Sequence, residues 1–241
     1  MITFNSVSKE VGKGRLKRLV LEDVNWSISP RSQMLILGQS GSGKSTLLQL
    51  LAGLTTPTHG WIDRRATVSI PTGLLRYGAH DTPRKLIFRL SQIYNVDPNE
   101  IIAVTALVTT ISQLLDVPIR SFRGALRAQL SVTLTYAFPC DFYIFDGALS
   151  VGRDQAFRSF CESAFQIRKK QAGTIIATSS VKTARALGGD AVGAVLFRNK
   201  LYVYPDVEHA VVAFERLPTE KILSPPLFIE PEKVLDADDG F

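Results

Sequence analysis

Residues 38–46 read GQSGSGKST, with Gly38, Gly43, Lys44 and Ser45 at the fixed places of the pattern G-x-x-x-x-G-K-[ST]. Glycines so placed let successive backbone N–H groups turn inward and form an anion nest. A helix opening near Lys44 would add the positive end of its dipole. The chemistry this suits is the grip of a nucleotide's phosphates. Gly38, Gln39, Ser40, Gly41, Ser42, Gly43 and Thr46 would form the cradle. Lys44 would reach the β- and γ-phosphates, and the Ser45 hydroxyl would ligand Mg²⁺. The competing reading is a glycine-rich structural turn; the Lys-Ser pair and the flanking strand and helix patterns weigh against it. A second candidate is Asp146, at the end of the apolar run FYIFD (142–146). It fits the other magnesium-side residue of such a site; its plain alternative is a turn or helix-capping aspartate. The next residue, often the one that activates water, is Gly147 and has no side chain.

Both candidates need strands to deliver them. QMLIL (33–37) reads as a buried strand before the loop, and STLLQLLAGL (45–54) as a helix after it, ending near a glycine. Residues 2–28 alternate in short runs about a basic turn, as a hairpin or small antiparallel sheet does. TTPTHGWI is a turn leading into a short strand. Helices are expected over 83–94, 99–115 and 122–137, then a strand at 142–146, a helix at 153–171, a strand at 174–178 and a short helix from 181. A hairpin follows (AVGAVLF, turn Arg198-Asn199-Lys200, LYVYP), then a helix over 206–215. No internal repeat is present. The fold class is α/β, with a mainly parallel central sheet and an antiparallel β patch at the N-terminus. From Leu217 the composition changes to a proline-rich run with an acidic end, DADDGF, which reads as a tail.

Composition narrows the partners. The 241 residues suit one large domain, with 45% hydrophobic and 21% charged residues. A net charge of +6 points to anionic company: nucleotide, nucleic acid or an anionic membrane surface. Nothing resembles a nucleic-acid module, a zinc site or a Ser-His-Asp set, so no nucleic-acid partner is expected. Cys140 and Cys161 lack metal-ligand spacing and read as buried or incidental thiols of a reducing compartment. MITFNSVSKE is no signal peptide, and IIAVTALVTTISQLL (101–115) is polar-interrupted and short of the ~20 residues a span needs. The chain is therefore expected to be soluble or peripheral to a membrane. His59, His80 and His209 are too scattered for a metal site. Lys9, Lys13, Arg15, Lys17 and Arg18 read as a solvated turn, with lipid-headgroup or phosphate contact as the alternative.

The only Asn-Lys pair, Asn199-Lys200, is followed by Leu-Tyr, so the guanine-reading Asn-Lys-x-Asp is missing; no Arg-rich kinase lid stands out either. The order of the phosphate loop, LLAGLTTPTHGWI, a helical insert, FRGALRAQL (122–130), FYIFD, TIIATSS and a closing hairpin resembles the ATP-binding subunit of ABC transporters, over about residues 1–215. LLDVPIRSF running into FRGALRAQL is most similar to the branch exporting capsular and other surface polysaccharides, and VSIPTGLLRYGAH (68–80) to that branch's loop against its membrane partner. The resemblance implies a P-loop NTPase domain over 1–216, with a helical subdomain at about 80–137 and the tail at 217–241. It implies Mg-ATP as ligand and a peripheral place on the cytoplasmic face of the bacterial inner membrane. It implies two protein partners: a membrane-spanning permease subunit, and a second ATP-binding subunit, identical or not. It adds Arg123 and Gly124 to the nucleotide contacts, made across the dimer.

The chemistry departs from that family. Its signature LSGGQ aligns with Phe122-Arg123-Gly124-Ala125-Leu126, 20 residues before Asp146, so the serine is Arg123 and the second glycine Ala125. The glutamate after the magnesium aspartate is Gly147, and the γ-phosphate-sensing histidine falls at Ser179. The coupling-loop glutamine falls near His80, the aspartate of the following loop at Arg153 beside Asp154, and no aromatic stands near Val11 to stack adenine, with Phe4 close by. Loss of a general base typically costs ~10²–10⁴ in rate, so binding is expected with hydrolysis weak or lost and no catalytic residue assigned. In a sandwich dimer any site built with this chain carries a defect. Arg123 could act as an arginine finger in trans; the plainer reading is an exposed substitution. The alternative function is a non-hydrolysing, ATP-dependent regulatory or assembly protein. A phosphate-loop kinase or GTPase is a third possibility.

Overall fold

In β3 (Gln33–Leu37) Met34 and Ile36 face one way, Leu35 and Leu37 the other, and all four are buried. A strand apolar on both faces must be covered on both, which places it mid-sheet. The computed structural model, which describes residues 1–12, 14, 17–147, 149 and 154–217, shows that arrangement. The central sheet runs β5 (Phe142–Asp146), β6 (Gly173–Thr178), β3, β7 (Val192–Phe197), β8 (Lys200–Tyr204). The first four strands are parallel, and β8 returns antiparallel to β7. That return turns on Arg198 and Asn199, whose φ values of 45° and 68° suit a two-residue hairpin. A second sheet, ordered β2 (Arg18–Ile28), β1 (Ile2–Val11), β4 (His59–Arg64), is antiparallel.

The antiparallel sheet and α1 (Lys44–Leu51) cover one face of the central sheet, burying Phe4, Leu21, Leu47 and Leu50 with Met34, Ile36 and Ile144. The other face is covered in two parts. Over β3 and β7 lie α6 (Val181–Gly188) and α7 (Val207–Glu215); Leu217, where the tail was expected to begin, is buried in that cluster. Over β5 and β6 lie α4 (Gly124–Ala137) and α5 (Gln155–Gln171), packing Tyr136, Phe157 and Phe165 on Tyr143 and Phe145. Residues 218–241 of the expected tail lie outside the described residues.

The helical insert has its own core of Leu86, Ile87, Ile111, Ile119, Phe122, Leu130 and Leu134. Its first helix, α2 (Pro83–Tyr94), has the expected bounds. The Thr82 side chain accepts from Lys85 N–H at 3.3 Å, Pro83 opens the first turn, and Asn95 ends it at φ 53°. The helix expected over 99–115 is shorter. α3 (Pro98–Val108) stops at Thr109, whose backbone is extended and whose hydroxyl donates to Thr105 O at 2.8 Å and accepts from Ile111 N–H at 3.2 Å. A 3₁₀ turn at 110–114 follows. Threonine hydroxyls compete with the helix for its own backbone groups, which apolar periodicity does not register. The helix expected to begin at 153 is capped by Asp154, whose side chain accepts from Phe157 N–H at 3.1 Å. Among the described residues no helix is long and apolar enough to cross a membrane.

The C-terminus of α1 is closed twice. Leu54 N–H donates to Gln49 O at 2.8 Å and Gly53 N–H to Leu50 O at 3.2 Å, a Schellman end on a glycine at φ 72°. Arg64 then reaches back from β4, donating to Leu50 O at 2.6 Å and Leu51 O at 3.2 Å. α1 has no basic residue in its own last turn, so Arg64 supplies the cation at the negative end of the dipole. Replacing Arg64 by Ala should lower stability by about 1–2 kcal/mol, and replacing it by Lys by less. Denaturant unfolding of the full chain checks this, and an unchanged midpoint for Arg64→Ala refutes the cap.

Candidate phosphate and magnesium site

All the loop and strand candidates meet at the carboxyl ends of the parallel strands, where ligands of open α/β sheets bind. The register pairs Leu37 with Thr178 and Asp146 with Ala177. Gly38 N–H therefore donates to Thr178 O at 3.2 Å and Gly147 N–H to Ala177 O at 2.8 Å. Ser179, exposed just past Thr178, stands beside the loop.

The loop leaves β3 at Gly38 and enters α1 through Gly43, at φ 106°. A Cβ on Gly43 would overlap the Val20 side chain, so backbone sign and space both demand glycine there. Ser42 N–H closes the turn on Gln39 O at 3.1 Å. Ser40 and Gly41 are exposed at the tip. The first-turn N–H groups of Lys44, Ser45 and Thr46 have no acceptor within the helix. Lys44 Nζ donates to Gly38 O at 2.7 Å and Gln39 O at 2.8 Å, so the ammonium is folded back over the loop. Burial holds the Lys44 ammonium below the usual lysine range, and the negative charge of Asp146 partly offsets that. The Ser42 hydroxyl is buried without a hydrogen-bond partner among the described residues, as a cradle for a polar ligand would leave it.

The Ser45 hydroxyl donates to Asp146 Oδ2 at 2.6 Å. Two hard oxygens side by side, one of them anionic, suit Mg²⁺, which takes one or two protein oxygens and completes its shell with phosphate and water. The donor set thus fits the metal. No cluster of three or more His, Cys, Asp or Glu able to hold a metal occurs among the described residues.

Gly147 follows Asp146 at φ 84°, with no atom of the described residues, its chain neighbours aside, within 4 Å of where a Cβ would stand. Space is available for a side chain; the backbone conformation is the obstacle. Arg123 and Gly124 are not part of the loop. They open α4, exposed, with their hydrophobic neighbours Phe122 and Leu126 in the helical core, whereas α1 packs in the sheet core. Arg123 caps α4 with backbone only. Phe4, the aromatic near Val11 in the sequence, is buried against Trp26, ring centres 5.9 Å apart, because its strand position points into the core. His80 is exposed, and its neighbour Asp81 accepts from Gly78 N–H at 2.5 Å and from Arg89 at 2.6 Å. In the basic turn Lys9 donates to Thr56 O at 2.6 Å and Lys17 pairs with Glu10 at 3.5 Å; Lys13 and Arg15, like Arg153, lie outside the described residues. Ser69 and Thr72, beside β5, escaped sequence reading, since isolated hydroxyls carry no periodic signal.

The ABC transporter family model matches residues 21–150, from β2 through the loop, the helical insert and Asp146. The chain belongs to the ABC transporter family. It is 29% identical over 221 residues to the capsule polysaccharide export ATP-binding protein CtrD of Neisseria meningitidis serogroup B, covering 90% of this chain and 100% of CtrD. It is 27% identical over 213 residues to the ATP-binding protein BexA of Haemophilus influenzae, covering 87% and 96%. Among solved structures, an ATP-binding cassette dimer in a post-hydrolysis state with ADP and Pi superposes with a TM-score of 0.64 at 15% identity, covering 83% of this chain and 96% of that one. The fold of this ABC transporter protein is thus shared with proteins from which its sequence has diverged widely.

Two outcomes follow from the geometry. Gly147→Ala should cost about 1 kcal/mol of stability although a methyl has room, because the left-handed backbone is disfavoured for an L-residue; a neutral or stabilising result in denaturant unfolding contradicts the assigned conformation. If the Lys44 ammonium takes part in anion binding at the loop, that binding depends on its charge. It should fall as pH rises through the Lys44 pKa, by about one log unit per pH unit, beginning below the ordinary lysine value of about 10.4. Lys44→Arg should shift that decline to higher pH, and identical pH profiles for the two proteins refute it.

Proposed function

We propose that this chain is the ATP-binding subunit of an ABC exporter of cell-surface polysaccharide, holding Mg-ATP at the Gly38–Thr46 loop with hydrolysis weak or lost. The observation that carries the reading is the Ser45–Asp146 contact of 2.6 Å beside Lys44, two magnesium-side oxygens next to a phosphate nest. The polysaccharide assignment draws support from CtrD, which matches along its whole length. When bound, Mg²⁺ would neutralise charge on the β- and γ-phosphate oxygens. The chain's own residues do the rest: the loop amides orient the phosphates, Lys44 releases the two carbonyls to meet them, and Ser45 and Asp146 fix the metal side. Arg123 and Gly124 at the head of α4 are assigned to the γ-phosphate of a second ATP-binding subunit's nucleotide.

The cutting step lacks its parts. Gly147 offers no group to polarise water, and Ser179 has neither the charge nor the reach of an imidazole. The partners are a membrane-spanning permease subunit and the second ATP-binding subunit, with the chain peripheral on the cytoplasmic face of the bacterial inner membrane. The missing side chain at Gly147 also fits a second reading, a non-hydrolysing regulatory or assembly protein that ATP locks into a complex.

The purified chain should bind ATP in a Mg²⁺-dependent way, lose it with Lys44→Ala, and release phosphate ~10²–10⁴ more slowly than a reference ABC ATPase that keeps the glutamate after its magnesium aspartate. Turnover matching that reference ATPase and abolished by Lys44→Ala overturns the weak-hydrolysis part alone; absence of ATP binding overturns the whole. Single-turnover cleavage that appears on adding the permease subunit excludes the regulatory reading.

A further inference from the structure

Residues 67–73 lie along the open edge of β5, the end strand of its sheet. Edge N–H and C=O groups buried under other elements need partners from outside the ladder. Backbone supplies some: Ser69 N–H donates to Phe142 O at 2.9 Å and Thr72 N–H to Ile144 O at 3.3 Å. Of the outward N–H groups of β5, that of Phe142 donates to Thr67 O at 3.1 Å, and the other two are met by side chains. Ile144 N–H donates to Ser69 Oγ and Asp146 N–H to Thr72 Oγ1, each at 2.9 Å. Ser69 is 1% and Thr72 3% exposed, so water does not compete for these bonds.

We infer that Thr72 is a positioning residue for the magnesium aspartate: its hydroxyl holds the Asp146 N–H and so aims the carboxylate at Ser45. The inference rests on reading Asp146 as a magnesium ligand. Asp146 is pinned on the strap side by Thr72 and on the sheet side through Gly147 N–H on Ala177 O at 2.8 Å. Gly147 itself, at φ 84°, has glycine's freedom and constrains the chain little from its C-terminal side. The direction of Asp146 therefore depends on these two bonds. Thr72 can serve as a fixed point because the strap is anchored to the helical layer: Tyr94 Oη donates to Val68 O at 2.8 Å, Thr135 Oγ1 to Ile70 O at 2.9 Å, and Gly73 N–H to Ser131 Oγ at 3.0 Å. Ser69 makes the same kind of bond two residues earlier, where no ligand depends on it, and so serves as an internal control.

The test titrates the full chain with a fluorescent ATP analogue, in EDTA and across a Mg²⁺ series, alongside thermal melts. Thr72→Val, which keeps the shape and removes the acceptor, should raise the Mg²⁺ requirement roughly tenfold to a hundredfold while affinity in EDTA stays at the parent value. Thr72→Ser should restore the parent Mg²⁺ requirement. Ser69→Ala should lower the melting temperature and leave the Mg²⁺ requirement alone. If Thr72→Val does not fold, Thr72→Cys, a weak acceptor of similar size, gives the same readout. A parental Mg²⁺ requirement in the folded variant, an equal loss of affinity in EDTA, or the same Mg²⁺ effect from Ser69→Ala overturns the role. Asp146→Asn separates the two layers: if it keeps the parental Mg²⁺ requirement, the magnesium assignment itself fails.

Discussion

The hydrogen bond from Ser45 to Asp146 spans 101 residues of chain, and most of the architecture bears on whether it can form. One partner sits in the first turn of α1, the other at the end of β5. They meet because β6 lies between β3 and β5 in a parallel register that brings the ends of all three strands level. Parallel strands need covered crossovers, so the helices on both faces follow from the same requirement.

What surrounds that contact differs in kind on its two sides. On the loop side every feature would suit holding an anion: a glycine that space and φ both require, a lysine partly desolvated, a buried hydroxyl without a partner among the described residues. On the side where water would be activated, the backbone turns left-handed at Gly147 and the neighbouring Ser179 is short and exposed. Even a half-buried charge such as Lys44 needs something to compensate its desolvation; here loop carbonyls and Asp146 do so, and phosphates would do so better. The asymmetry is chemical, and the fold is the same as that of widely diverged relatives.

The structure also joins the site to the helical insert by a short strap. Its hydroxyls occupy ladder positions that a regular edge strand would fill with carbonyls. Side-chain partners are selectable residue by residue, which makes this edge more specific to its sequence than a backbone ladder would be.

The amino-acid sequence by itself determined the elements with local causes. Loop 38–46 was legible from its glycines and Lys-Ser pair, α2 from Thr82, Pro83 and its apolar period, and β5 from four apolar residues before Asp146. It also displayed the departures at Arg123, Ala125, Gly147 and Ser179, since those are identities in an ordered pattern. It misjudged the helix after Asp97, where threonine hydroxyls capture backbone groups. Only the tertiary structure decided that Ser45 touches Asp146, that Arg64 closes α1, and that Thr72 holds the Asp146 N–H. Those contacts join residues far apart in the chain, and their partners are chosen by strand order and packing, which residue spacing does not encode.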